Sequence, residues 1–312
     1  MFFHKKRNVN GFLLLDKPQG MSSNNVLQKV KVIFNARKAG YVGTLDPLAT
    51  GMLPICFGEA TKFSRYLSES DKHYNVVAKL GEKTSTSDSE GVILRKRPII
   101  FTSLELSLAL KELTGLINQI PSMYSAIKYK GLPLYKYARK GINIKRNIRH
   151  VFIYKITLIE QKDDWIELNV HCSKGTYIRT LIEDLGEKLF CGAHVVALRR
   201  LKIGLLSYSK LVKLSFLEKL LNEKNTKQIN FLKKVDNFLM PVDTPIHFLP
   251  KIYISIKKIS FFKLGQKVNF SSTIQNSLVR VFEKDNNTFI GLGKISSEQT
   301  LIPYRLVSML TN

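Results

Sequence analysis

The sequence is poor in the residues that hold metals and disulfides. Cysteine occurs three times in 312 residues, at Cys56, Cys172 and Cys191, with no Cys-x-x-Cys pair. The six histidines form no ligand-spaced pair along the chain. A disulfide scaffold and a zinc site are therefore not expected, and a reducing compartment fits. Acid is scarce as well: 24 Asp+Glu against 49 Lys+Arg leave a formal net charge of +25. That excess favours a polyanionic partner, usually nucleic acid, over an acidic membrane face; the alternative reading is a biased genome that writes Lys wherever it is tolerated. The N-terminus has only a short apolar core, Gly11 to Leu15, and no small-residue cleavage site. No secretory leader is expected, and the cytoplasm is the expected compartment. Long hydrophobic runs are missing too. The nearest is Ala39–Gly58, whose single charge is Asp46. Gly40, Gly43, Gly51, Gly58, Pro47 and Pro54 would break a helix there repeatedly. A lone Asp at mid-bilayer costs about 2.5–3.5 kcal/mol, so a membrane span is excluded. The stretch reads as a buried, irregular segment around one isolated carboxylate.

What is present supports a globular protein. Hydrophobic residues make up 44% of the chain, enough for a sizeable core, and no repeat or low-complexity tract occurs. The length suits one large domain and a small one. Gly11–Leu15 reads as a strand ending at the turn Asp16–Gly20. Ser22 or Ser23 can cap a helix to about Asn35, with Val26, Val30 and Ile33 inside. Glu59–Leu67 and Ser103–Leu113 read as helices, Asn75–Leu80 as a strand and Thr84–Gly91 as a loop. His150–Ile159 and Trp165–Cys172 read as a hairpin, the second strand alternating strictly between apolar and polar. Thr176 is placed to cap a helix to about Leu189, with Arg179 in its first turn. Ala193–Leu201 is a candidate strand, and Leu214–Leu221 and Ile229–Phe238 are candidate helices. Prolines 241, 245 and 250 then punctuate a boundary before short strands from Lys251 onward. With no heptad run or interface stripe, a monomer is expected.

Two features carry chemistry. Leu113–Ile159 has no acid, nine cations and five tyrosines. Cations neutralise phosphates and aromatic faces stack on unpaired bases. The interleaving, as at Lys128, Tyr129, Lys130, Tyr135, Lys136, Tyr137, Arg139 and Lys140, favours RNA contact over a solvated basic face. The second feature is Asp46. A carboxylate in an apolar loop is a nucleophile or base, or else it merely caps the turn before Pro47. Spacing alone leans slightly to the turn.

The motifs are more specific. GTLDPLATGMLP (Gly43–Pro54) resembles the catalytic motif of the TruB family of bacterial tRNA pseudouridine synthases. LDKPQGMSSN (Leu15–Asn24), GEATKFSRYL (Gly58–Leu67), DKHYNV (Asp71–Val76), CSKGTYIRTLIEDLGEKL (Cys172–Leu189) and CGAHVVALRRL (Cys191–Leu201) continue the resemblance. MPVDTP (Met240–Pro245) and FIGLGKI (Phe289–Ile295) extend it to the C-terminal part.

The resemblance implies an α+β fold, a mixed and largely antiparallel sheet flanked by helices. It implies a catalytic domain over 1–245 with an RNA-binding insertion at about 121–147, and a small β-rich PUA-like domain over 250–312. The implied activity is conversion of uridine to pseudouridine at position 55 in the T-arm loop of tRNA. It implies no cofactor, no metal and no obligate protein partner. Asp46 takes the catalytic role. Arg179 is its ionic partner, expected to lower its pKa. Tyr74 stacks on the uracil and is a candidate for proton transfer. Tyr41, Tyr177 and Leu198 join Tyr74 in contacting the nucleotide, and Lys17 and Pro18 are scaffold beside the pocket. The family commonly has His where Tyr41 stands, and a Tyr cannot carry its charge. Without the resemblance, Arg179 reads as a helix-surface partner of Glu183. Two rivals remain at this level: an RNA-binding protein without chemistry, and a guide-RNA-dependent synthase.

Overall fold

The computed structural model describes residues 5–207, 210–222 and 228–308. In chain order the first elements are β1 (Gly11–Lys17), α1 (Ser23–Ile33), β2 (Ala39–Tyr41), β3 (Thr50–Phe57), α2 (Ser64–Glu69), β4 (Lys72–Leu80), β5 (Glu82–Thr84) and β6 (Ile93–Lys96). Then come α3 (Ser103–Glu112), β7 (Gly115–Gln119), β8 (Lys128–Tyr129), β9 (Leu132–Pro133), α4 (Leu134–Ala138), β10 (Arg149–Lys162), β11 (Trp165–Cys172), α5 (Ile178–Lys188) and β12 (Ala193–Ile203). The remainder is β13 (Val212–Lys213), α6 (Leu214–Asn222), α7 (Gln228–Asp236), β14 (Lys251–Ile254), α8 (Ile256–Lys263), β15 (Val268–Asn269), β16 (Leu278–Glu283), β17 (Phe289–Ile295) and β18 (Thr300–Leu306).

A nine-stranded sheet runs β13-β1-β3-β12-β4-β11-β10-β7, with β2 also paired to β3. Its central pairs β1–β3, β12–β4, β4–β11 and β11–β10 are antiparallel, while β1–β13 and β12–β3 are parallel. The architecture is thus the mixed, largely antiparallel α+β sheet expected. α1, α3 and α5 cover one face, burying Val26, Val30, Leu106, Leu181 and Ile182 against Leu13, Val76, Ala78 and Leu168. On the other face Phe12, Leu14, Met52 and Phe63 pack with Ile246, which precedes β14, and with Leu292 of the C-terminal part. That part is a five-stranded sheet, β14-β16-β17-β18-β15, around its own core of Ile254, Phe262, Val281 and Ile290.

Local signals explain several elements. The Ser22 hydroxyl accepts from Asn25 N–H and starts α1, and Thr102 and Glu105 form a capping box on α3. Two sequence expectations need correction. Ala39–Gly58 is not irregular throughout, since Thr50–Phe57 is a central strand. Pro54 is tolerated because it sits where the second edge of β3 passes from β2, ending at the pair Tyr41–Ile55, to β12, starting at Thr50 and Gly51. Thr176 does not cap α5: its hydroxyl donates to Ser173 O, and the N-cap residue is Tyr177, without a side-chain cap. The buried Gln119 amide holds that residue instead, accepting from Tyr177 N–H (3.0 Å) and donating to Tyr177 O (3.2 Å).

Candidate active site

Asp46 lies in the loop between β2 and β3, and that loop is tied down at each flank. The Ser23 hydroxyl accepts from Leu45 N–H and donates to Leu45 O, both at 2.9 Å. Pro47 O accepts from Gly20 N–H (2.8 Å) and from the Lys17 ammonium (3.2 Å). Ala49 N–H closes the turn onto Asp46 O. The backbone on either side of Asp46 is therefore fixed.

Asp46 lines a cavity of about 390 Å3, together with Gly43, Tyr74, Tyr177, Arg179, Leu198 and Arg200 among others. Protein crowds it on most sides, yet 35% of its side-chain surface stays open to the cavity. Arg179 is buried and spends its guanidinium on four acceptors. Nε reaches Asp46 Oδ2 at 2.9 Å, one terminal nitrogen reaches Thr86 O (2.9 Å) and Asp88 Oδ2 (3.1 Å), and the other reaches Tyr124 O (2.7 Å). A cation in the first turn of a helix is opposed by the macrodipole. Two carboxylates offset that here. Asp88 is itself buried, and its carboxylate accepts from Glu90 N–H and the Thr86 hydroxyl.

The electrostatics refine one expectation. Burial pushes Asp46 above the ordinary carboxylate range. Arg179 is the strongest opposing influence, Asp88 adds to the rise, and Lys17 works against it. The ion pair thus offsets a desolvation cost rather than producing a net fall. Lys17 has no exposed surface and lies behind the loop. Desolvation lowers it to about 8 despite the nearby charges of Asp46 and Glu90. The reading of Arg179 as a surface partner of Glu183 is overturned. Glu183 binds Lys83 at 2.7 Å and the Ser87 hydroxyl.

The other expected residues divide. Tyr74, Tyr177 and Leu198 come together with Asp46 and Arg179 in the cavity. Tyr41, on β2, is half-buried against the core and is not among the cavity-lining residues. Lys17 and Pro18 line a separate hollow with Asp16 and Arg199. Lys128, Lys130, Lys136, Arg139 and Lys140 lie between β7 and β10 on the hairpin β8–β9 and on or just after α4. Arg139 and Lys130 sit over the rings of Tyr135 and Tyr129. Sequence reading missed Asp88, Gln119, Ser23 and Arg200. Asp88 had a faint signal, an acid among four hydroxyl residues in Ser85–Ser89. It also missed a histidine pair. Register places His73 opposite His171, and Asp71 approaches both. Those two rings stack at 3.9 Å and 13°.

Fold and site together place one aspartate, Asp46, beside a buried arginine in the lining of one cavity. Solved structures share the fold: a Cbf5-Nop10-Gar1 complex matches with TM-score 0.67 at 24% identity, over 96% of this chain and 84% of the other. An H/ACA RNP bound to a substrate RNA containing 2'-deoxyuridine matches with TM-score 0.68 at 22% identity, over 97% and 85%. Residues 31–178 match the TruB family pseudouridylate synthase N-terminal domain. Residues 179–247 match the tRNA pseudouridylate synthase B C-terminal domain, and residues 250–307 match the Pseudouridine synthase II TruB C-terminal region. The chain belongs to the TruB family of pseudouridine synthases. It is similar to the tRNA pseudouridine synthase B of Buchnera aphidicola subsp. Schizaphis graminum, 83% identical over all of both chains. The enzyme of Buchnera aphidicola subsp. Acyrthosiphon pisum is 64% identical, again over the full length of both, and that of Enterobacter sp. 51% identical over 96% of each.

Proposed function

We propose that this enzyme isomerises uridine to pseudouridine at position 55 in the T-arm loop of tRNA, with Asp46 as its catalytic residue. The observation that carries the reading is Asp46 in the cavity lining, 2.9 Å from a guanidinium that also grips Asp88. The reaction breaks the N1–C1′ bond, turns the uracil, joins C5 to C1′, and exchanges the C5–H for an N1–H, the C5 proton leaving to solvent and N1 taking one up. An ionised Asp46 serves it in either of two ways, by attacking C1′ or by removing the C2′ proton. Arg179 keeps the carboxylate charged and aimed. A base inside the loop cannot reach this cavity unless it is extruded, and Tyr74, with Tyr177 and Leu198, supplies the walls for it. Tyr41 contacts RNA outside the cavity.

The exposed cations between β7 and β10, at about 121–147, hold the phosphate backbone, and the β-rich unit over 250–312 adds a second RNA surface to the catalytic unit over 1–245. No metal or cofactor enters any of these steps. The reaction needs no protein partner, a monomer suffices, and the cytoplasm is the compartment where tRNA is met. Among the described residues no helix is long and apolar enough to cross a membrane.

The test is purified protein on a bare tRNA transcript, scored for pseudouridine. Wild type should convert the T-arm uridine unaided, and Asp46→Asn should bind the transcript but convert none. Binding without conversion by wild type would favour an RNA-binding role, and conversion only with an added guide RNA would favour the guided type.

A further inference from the structure

We infer that Arg200 is a positioning residue of this reaction, which fixes the Tyr74 hydroxyl and the two ends of the catalytic loop as one unit. The inference rests on the proposed function for its chemistry and on packing for its geometry. Arg200 is 1% exposed and lies on β12 directly opposite Tyr74 on β4. Both line the cavity that holds Asp46. Its Nε donates to Met52 O at 2.8 Å, and one terminal nitrogen donates to Gly43 O at 2.7 Å and Val42 O at 3.4 Å. Val42 and Gly43 lead into the Asp46 loop, and Met52 lies on the strand leaving it. One planar side chain thus staples both arms of the loop.

Its fit is tight. A Cβ on Gly43, whose φ is +68°, would lie 2.9 Å from an Arg200 terminal nitrogen. Among the described residues no carboxylate pairs with Arg200 at ion-pair distance. The Tyr74 phenol lies directly opposite it in register, and the guanidinium charge acts on that phenol.

Chemistry sets what this contact can be. Guanidinium has only donors, so the phenol oxygen must accept. The single Tyr74 O–H is left over, and in a cavity-lining residue it is free to donate to the extruded base. Lys cannot reproduce the fork, because a compact ammonium cannot span a planar set of three carbonyls and a phenol.

A double-substitution cycle on a T-arm stem-loop tests this, with Arg200→Lys, Tyr74→Phe and both together. Each single variant should lose at least tenfold in single-turnover rate with stem-loop affinity within about threefold. The double variant should be no slower than the slower single. Losses that multiply would mean Arg200 is a structural residue that acts independently of the hydroxyl, and would overturn the inference. The second measurement is free of activity: NMR titration of 13C-labelled tyrosines. Arg200→Lys should move the Tyr74 phenol titration to higher pH, and an unmoved titration also overturns it. If Arg200→Lys does not fold, Gly43→Ala, which crowds the guanidinium, should shift the same resonance. Should wild type leave the stem-loop unconverted, the proposed function falls, while the titration still decides the Arg200–Tyr74 contact.

Discussion

Replacing Arg179 by Lys preserves charge and should nevertheless cost most of the activity. The native guanidinium serves four acceptors at 2.7–3.1 Å: Asp46, Asp88, Thr86 O and Tyr124 O. An ammonium has three donors and no plane, so at least one acceptor loses its partner and Asp46 is no longer held from one side. A hydrogen bond to a charged group is worth about 1.5–3 kcal/mol. At about 1.36 kcal/mol per tenfold, losing one that matters in the transition state slows turnover by about 10- to 150-fold. Loss of aim adds to this, so a drop of at least about 100-fold is expected. Affinity for tRNA should change little, because phosphate contacts elsewhere dominate it. The assay is single turnover on tRNA carrying tritium at uracil C5, with a thermal melt confirming that the variant is folded. The pH profile gives a second reading. In the proposed mechanism Asp46 reacts in its ionised form, so the rate should fall as pH drops through its pKa. Burial sets that pKa above the usual aspartate value of about 3.9, and Arg179 is the main influence pulling it back. The acid limb should therefore move to higher pH in Arg179→Lys. A near-wild-type rate would refute the reasoning, as would an equal loss from Glu183→Gln, since Glu183 touches Lys83 and Ser87 instead.

Three further outcomes are expected. Lys17 falls from 10.5 in the unfolded chain to about 8 when folded, so between those pH values the unfolded state holds the extra proton and stability rises with pH. That span corresponds to about 3 kcal/mol, and Lys17→Met should remove this rise from melts taken across pH 8 to 10.5. If about six phosphates are neutralised, the log–log slope of tRNA affinity against salt should lie near −4 to −5, and substituting Lys136, Arg139 and Lys140 with Gln together should flatten it. An unchanged slope would make the basic segment a solvated face. Tyr74→Leu should weaken binding of the extruded uridine by about 1–3 kcal/mol, whereas Tyr74→Phe should hold it. Equal binding by both variants in single-turnover titrations would remove Tyr74 as the stacking wall.

Much of the molecule was legible beforehand because much of it is built from short-range rules. Val26, Val30 and Ile33 recur at helical spacing behind a serine cap, and α1 follows from those alone. Ile166, Leu168 and Val170 alternate, and β11 follows from period two. Asp46, Tyr74 and Arg179 were legible for a different reason: they sit in motifs whose residue order is itself distinctive. Thr50–Phe57 failed the same kind of reading, because Pro54 and the glycines are breakers unless a neighbouring strand leaves a gap where the missing N–H is not needed. No window of sequence contains that gap.

The sequence by itself determined the charge, the strands and helices with clean periodicity, the family and which carboxylate is the candidate for chemistry. Tertiary structure alone decided how that carboxylate is held. Asp88 comes from a polar loop between β5 and β6, Gln119 from the end of β7, and Arg200 from a strand paired with Tyr74 by register. Each meets its partner across dozens of residues of chain. It also decided the sign of the shift at Asp46, where burial outweighs the guanidinium. Periodicity and capping act within one or two turns of chain and can be read along it. Burial and register are properties of many elements assembled at once, and they exist only after the sheet has closed around the site.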